Sequence, residues 1–373
     1  MKQIIIIFAI LLTLPSIAQQ SITLEECYKL VAENYPLTKQ TQLLEAQNKL
    51  DKEVVSIAKL PQLSVAAQAT YQSDVIEIPI PNANIQPLNK DQYRATVSVN
   101  QLIYNGGLVD ASLGLKSAQL KTKQKQVEVN LYQLKQQINQ LYFSILLAQE
   151  SELLLNAKKE QLEAKLKEVK SGIKYGIILP SSDKVLEAEL LKIKQQFQEL
   201  KSNKITLVET LSSLINLQLN GSTEFQKPLI KTDLQTDLAR PELELFQLKK
   251  EEITTSENLL SKQNLPKLLG FATGGYGNPG LNMLDNSFQP FYTVGVKLNW
   301  NVFDWNTNKK QQKSLSINKD IVDNETEIFK LNTKIELNQK QKEIHKIEKL
   351  IASDLEIINL RKEVLKSTDS QLK

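Results

Sequence analysis

The chain has 373 residues, of which 24% are charged, and a formal net charge of +4, with lysine and glutamate interspersed rather than segregated. That balance argues against a nucleic-acid binder working through a basic face. Gly and Pro number only 12 each beside abundant Lys, Glu, Gln and Leu, which favours long helices over a compact α/β enzyme, and a single cysteine, Cys27, excludes an intrachain disulfide.

The chain opens with "MKQ", an apolar run from Ile4 to Leu14 broken only by Thr13, and small residues at Ser16 and Ala18. This predicts a secretory signal peptide over 1–18, cleaved after Ala18. The run of roughly 11 residues is too short to cross a bilayer as a helix, and no later segment approaches the ~20 that is needed. The chain is therefore expected to be exported without a transmembrane helix. Cys27 follows two glutamates in "TLEECYKL" and reads as a buried helical thiol rather than a lipid anchor.

The rest of the sequence is a tandem duplication. "YPLTKQTQLLEAQNKLDKEVVSIAKLPQL" from Tyr35 and "RPELELFQLKKEEITTSENLLSKQNLPKL" from Arg240 align at an offset of 205. That offset matches Pro36 to Pro241, Leu60-Pro61 to Leu265-Pro266, Leu63 to Leu268 and Tyr71 to Tyr276. "YRATVSVNQLIYN" from Tyr93 matches "YTVGVKLNWNVFD" from Tyr292 at an offset of 199, the six-residue difference falling in the intervening loop. The first repeat, 19–238, reads helix-strand-strand-helix-helix; the second, 239–373, repeats that order without its last helix.

The predicted strands alternate with period two. Leu63, Val65, Ala67, Ala69 and Tyr71 alternate with mostly polar neighbours, as do Tyr93, Ala95, Val97 and Val99. In the second repeat Tyr292, Val294, Val296, Leu298 and Trp300 alternate with Thr293, Gly295, Lys297 and Asn299. Such a pattern makes a sheet with one apolar and one polar face. The strands carry almost no charge, and Tyr71, Tyr93, Tyr104, Tyr276, Phe291, Tyr292, Trp300, Phe303 and Trp305 cluster in or beside them. No amphipathic helix is wide enough to cover four strands, so a lipid-facing barrel with aromatic girdles is expected. Four strands cannot close alone, and an open edge in hydrocarbon is costly, so the barrel has to be shared between chains.

From Leu108 to Lys174 there is no proline, and Gly114 and Gly172, near the ends, are the only glycines. About 67 residues at 1.5 Å each predict a helix roughly 100 Å long. A return helix follows, with a heptad seam of Leu186, Leu190, Ile193, Phe197, Leu200, Leu207, Leu211 and Leu214, interrupted by Lys204. Ile344, Ile351, Ile358 and Leu365 recur at sevens in the second repeat. "KYGIILPSSD" is then the turn of a helical hairpin, with Gly176 at a helix end and Ser181 or Ser182 available as a cap.

Together these features resemble the TolC family of outer-membrane channels of Gram-negative bacteria. The resemblance rests on "SITLEECYKLVAENYPL", the two "LP" strand starts, "QLIYNGG", "WNVFDW" and "YGIILPSSDKVLEAELL", in this order and duplicated, over residues 22–373. It implies a mainly α chain with a β-barrel part. Long coiled-coil hairpins extend into the periplasm, and four strands per chain join a shared, homotrimeric, twelve-stranded barrel in outer-membrane lipid. It further implies a passive exit duct of a tripartite efflux pump or type I secretion system, coupled by a periplasmic adaptor to an inner-membrane transporter. The hairpin tip, Tyr175, Gly176, Ile177, Ile178, Leu179, Pro180, Ser181, Ser182 and Asp183, is where the resemblance puts adaptor docking; a turn packed on its neighbours is the alternative. For Asp183, facing a constriction and serving as an ordinary first-turn helix residue both stay open.

At the offset of 199, Lys373 corresponds to Lys174, so the counterpart of Ser181–Leu219 is expected to be missing: a fragment, a frameshifted gene or a real variant. No enzyme or cofactor signal emerges. His345 is the only histidine and is expected to face solvent. "ATGGYGNPG" lacks the helix a phosphate loop requires, and its glycines are expected to face the pore or ease a turn. A secreted coiled-coil scaffold without lipid contact is the other class of protein compatible with these patterns. The loop from Glu77 to Asp91 is expected outside the cell.

Overall fold

A computed structural model describes residues 21–76, 87–229 and 238–371. The expected signal peptide over 1–18 and most of the loop from Glu77 lie outside the described residues. In chain order the elements are β1 (Ser21–Ile22), α1 (Leu24–Asn34), α2 (Thr38–Ile57), β2 (Gln62–Tyr71), β3 (Asp91–Tyr104) and α3 (Leu108–Lys174). There follow α4 (Ser182–Ile215), β4 (Glu224–Phe225), α5 (Pro241–Gln263), β5 (Lys267–Asn278), β6 (Gln289–Asn299) and α6 (Thr307–Gln371). The order helix, strand, strand, long helix thus occurs twice. Among the described residues no helix is long and apolar enough to cross a membrane.

The chain forms two compact units, residues up to Gln47 with Lys123–Pro241, and Asn48–Thr122 with Glu242 onward. In the first, α1 starts from a capping box. The Glu26 amide donates to Thr23 Oγ1 (3.2 Å), and the Thr23 amide donates to Glu26 Oε2 (2.8 Å). Leu24, Cys27 and Val31 then share one buried face and pack against Ile138, Tyr142, Ile145 and Leu146 of α3 and Val208, Leu211 and Ile215 of α4. β1 pairs in parallel with β4, and Tyr142 pins both: its hydroxyl lies 2.9 Å from the Ile22 carbonyl and 2.7 Å from the Gln226 carbonyl. Burial pushes the Cys27 thiol up to about 12, Glu26 adding to the effect, so it stays a neutral, unreactive filler.

The seam on α4 is buried or half-buried at each predicted position. Lys204, which interrupts it, stays within the stripe because its ammonium reaches Glu152 of α3 at 3.2 Å. The stem of the lysine serves as the apolar filler and the head is paired.

In the second unit the sheet order is β2-β3-β5-β6, every neighbouring pair antiparallel. Each hairpin leads into a long helix through two consecutive left-handed residues. These are Gly106 (φ 66°) and Gly107 (φ 80°) before α3, and Trp305 (φ 54°) and Asn306 (φ 61°) before α6. Glycine adopts this backbone freely, whereas a bulky side chain resists it. At Gly106 there is also no room, since a Cβ there would lie 2.5 Å from Leu265 Cβ. Along α6 the heptad residues Ile344, Ile351, Ile358 and Leu365 are exposed. His345 is exposed as expected, its Nδ1 3.6 Å from Glu348.

Candidate membrane face and hairpin tip

Side chains of directly paired residues point to the same side of a sheet. The pairing joins Leu63, Val99, Ala272 and Val294 in one row, Val65, Val97, Gly274 and Tyr292 in the next, and Ala67, Ala95, Tyr276 and Pro290 in a third. Leu298, Val296, Tyr93 and Tyr71 fall on the same side. One apolar face therefore runs unbroken across all four strands. Nothing among the described residues covers it: Val65 is 75% exposed and Tyr292 79%. The strands hold 10, 14, 12 and 11 residues, enough for the 9–11 that a tilted strand needs to cross a bilayer. Trp300 differs from expectation: β6 ends one residue earlier, at Asn299, because that residue already faces Lys267, the first of β5.

Aromatic rings gather near both ends of this face. At the loop end Tyr93 and Tyr276 both stack on Phe288, at 6.3 and 5.6 Å; at the helix end Phe303 and Trp305 meet edge to face at 4.9 Å. Between them, Tyr292 apart, the rows are aliphatic or small, as an interfacial girdle around a hydrocarbon band would require.

The opposite face carries Gln62, Ser64, Gln68, Thr70, Thr96, Ser98, Thr273 and Thr293, with Arg94 and Lys297, and Ser98 Oγ meets Thr273 Oγ1 at 3.0 Å. Two phenylalanines also lie here. Phe291 occupies the space over Gly275, with the Arg94 guanidinium 5.4 Å from its ring centre, and Phe271 lies over Gly295. Phe291 is thus not a girdle residue. The signal that could have located it is the glycine across from it, which leaves a slot for a ring on the polar face. Of the "ATGGYGNPG" glycines, Gly275 and Gly277 sit on the polar face, while Gly274 sits on the apolar one.

At the hairpin α3 closes on Gly176, whose φ of 73° requires glycine, and the Ile177 amide turns back to the Gly172 carbonyl at 2.9 Å. Of the apolar run, Ile177 and Leu179 project outward, 80% and 74% exposed, together with Tyr175. Ile178 turns inward, its side chain filling the space that a Cβ on Gly172 would occupy. Pro180 is exposed. Ser181 sits at the cap of α4 but its hydroxyl makes no cap bond, because its backbone is already helical (φ −88°, ψ −5°). The Ser182 amide donates to the Leu179 carbonyl at 3.1 Å. Asp183 is largely covered, with Oδ1 buried and unpartnered and Oδ2 3.7 Å from Lys184. One turn on, Glu187 joins the two arms, 2.8 Å from Lys170 of α3 and 2.8 Å from Lys184. Hydrogen bonds from Lys170 and then Lys184 hold its carboxyl down at about 2.

No protein-family model and no curated protein matches the sequence. Solved structures do. The outer membrane protein VceC of Vibrio cholerae aligns with a TM-score of 0.57 at 13% identity, over 83% of this chain and 76% of VceC. The CmeC outer membrane channel of Campylobacter jejuni gives 0.60 at 16%, over 83% and 68%. The open state of the MtrE outer membrane channel of Neisseria gonorrhoeae gives 0.54 at 14%, over 80% and 68%. The chain has the fold of these channels, which bears out the TolC-family resemblance at the level of fold.

Proposed function

We propose that this chain is the subunit of an outer-membrane exit duct in a Gram-negative bacterium. Three copies each give four strands to one twelve-stranded barrel, and their helices surround a passive passage through the periplasm. The observation that carries this reading is the sheet, whose strands are long enough to cross a bilayer. Its faces are apolar and polar over the full width, and among the described residues both outer edges, β2 and β6, are unpaired. In hydrocarbon an unpaired strand edge costs several kcal/mol per backbone group, so such a sheet is stable in lipid only when closed with other copies. The likeness to solved outer membrane channels supports the same assignment.

The duct serves a tripartite efflux pump or a type I secretion system, and the hairpin tip meets a periplasmic adaptor that joins it to an inner-membrane transporter. Supporting this is the exposed apolar trio Tyr175, Ile177 and Leu179 at the turn of an otherwise charged hairpin.

The decisive test is the native mass of the chain extracted in detergent from purified outer membranes, set against its denatured mass. A trimer is expected; a monomer, or absence from the membrane, overturns the reading. For the tip, Ile177→Asp with Leu179→Asp should abolish export while leaving trimer and insertion intact. Normal export by that variant would remove the docking role.

A further inference from the structure

We propose the register in which β6 of one copy pairs with β2 of the next, an inference that rests on the trimeric reading above. The argument is the duplication. Adding 205 to a β2 residue gives its β5 counterpart, and adding 199 to a β3 residue gives its β6 counterpart. Applied to the first hairpin, this turns Gln62–Asn100 into Lys267–Asn299 and Leu63–Val99 into Leu268–Leu298, which are pairs seen in the second hairpin. The duplication therefore transfers hydrogen-bond register as well as sequence.

One junction in the chain remains to be transferred, β3 against β5. Its counterpart is β6 against a β2 strand. The chain's own β2 lies at the far edge of the sheet, and four strands are too few to close on themselves, so that β2 belongs to a second copy. Ala95–Tyr276 becomes Val294 opposite the next copy's Tyr71, Val97–Gly274 becomes Val296 opposite Ala69, and Val99–Ala272 becomes Leu298 opposite Ala67.

The faces provide an independent check, because each of these three transferred pairs puts an apolar residue opposite an apolar one. A slip of one residue would bring the polar set of one strand onto the lipid side of the other. On the polar side Lys297 falls opposite the next copy's Gln68, whose other neighbour is Arg94 of its own sheet. The equivalence loosens at the helix end. There Leu265 occupies the space beside Gly106, whereas the counterpart pair is Leu60 and Trp305, which carries a side chain. The last row at the copy-to-copy junction is accordingly wider than its intrachain model.

Disulfide trapping in outer membranes tests the register. Cys27 is fully buried and does not interfere. The double variant Leu298→Cys with Ala67→Cys should give covalent dimers and trimers on a non-reducing gel, and Val99→Cys with Ala272→Cys should close within one chain as a control. Pairing Leu298→Cys with Val65→Cys or with Ala69→Cys should trap roughly tenfold less. Directly opposed Cβ atoms are about 4.5–5.5 Å apart and diagonal ones about 7–8 Å, against the ~3.8 Å a disulfide requires. If a shifted pair cross-links best while the native mass is trimeric, the register is wrong and the duct reading stands. If the unsubstituted protein shows no multimer, both fall together.

Discussion

Two regions of the molecule use the same residue types to opposite ends. Around Tyr142 the apolar side chains are sealed: Cys27, Ile145, Leu211 and Ile215 are fully buried, and even the phenol has carbonyl partners in β1 and just past β4. On the sheet, Val65, Val97, Tyr292 and Val294 are left open across a face that nothing among the described residues covers. The first region is stabilised by water leaving it. The second can gain that stabilisation only from something outside the described residues. Sequence hydrophobicity alone does not separate the two; what separates them is the period, 3.5 to 3.6 residues in the helices and 2 in the strands.

That contrast can be broken from either side. Leu211→Ala should cost ~2–5 kcal/mol by leaving a cavity in a site with little room to collapse. Cys27 should become reactive to thiol reagents while the sheet still inserts. Val97→Arg should do the reverse, reducing membrane assembly by a cost of ~2–4 kcal/mol at mid-bilayer while Cys27 stays protected. If both variants expose Cys27 equally, the two regions are one cooperative structure and the contrast fails.

A smaller effect distinguishes the two repeats. Trp305 holds a left-handed backbone that its counterpart Gly106 adopts without strain, at a cost of order 1–3 kcal/mol. Trp305→Gly should therefore raise the thermal stability of the detergent-solubilised chain, and at the same time weaken retention in lipid by removing a ring beside Phe303. Unchanged or lower thermal stability would mean that the indole's packing outweighs the strain.

Much of this was legible in the sequence because it depends on local period. The 67-residue helix was bounded by its lack of proline, the seam with its lysine by the heptad count, and the apolar face by strict alternation. Other features depend on partners distant in sequence. Nothing local in "SI" and "EF" announces that β1 and β4 pair, or that Tyr142, about 120 residues after the first, bridges them. Phe271 and Phe291 are apolar residues on a polar face because the adjoining strands supply glycines. Within Ile177, Ile178 and Leu179, three similar side chains in a row, the one that turns inward is chosen by Gly172.

The weakest expected effect lies at that same turn, where charge joins the hairpin arms beside the packing of Ile178 on Gly172. Glu187 sits between Lys170 and Lys184, and its carboxyl is held at about 2, below its ordinary 4.5. A depressed carboxylate contributes stability that is present above 4.5 and is lost as pH falls through about 2. Asp183, which also faces Lys184, adds charge of the same sign. Because both lysines are largely in water the contribution is small and screened by salt. Hydrogen exchange at the Ile177 amide, corrected for its intrinsic rate, should therefore lose protection between pH 4.5 and 2 at low ionic strength. In Lys170→Gln, which keeps the backbone bond from Ile177 to Gly172 but removes the cross-arm charge, that loss should shrink. Protection that falls equally in both proteins would trace the fraying to the backbone turn alone and leave Glu187 as an ordinary surface residue.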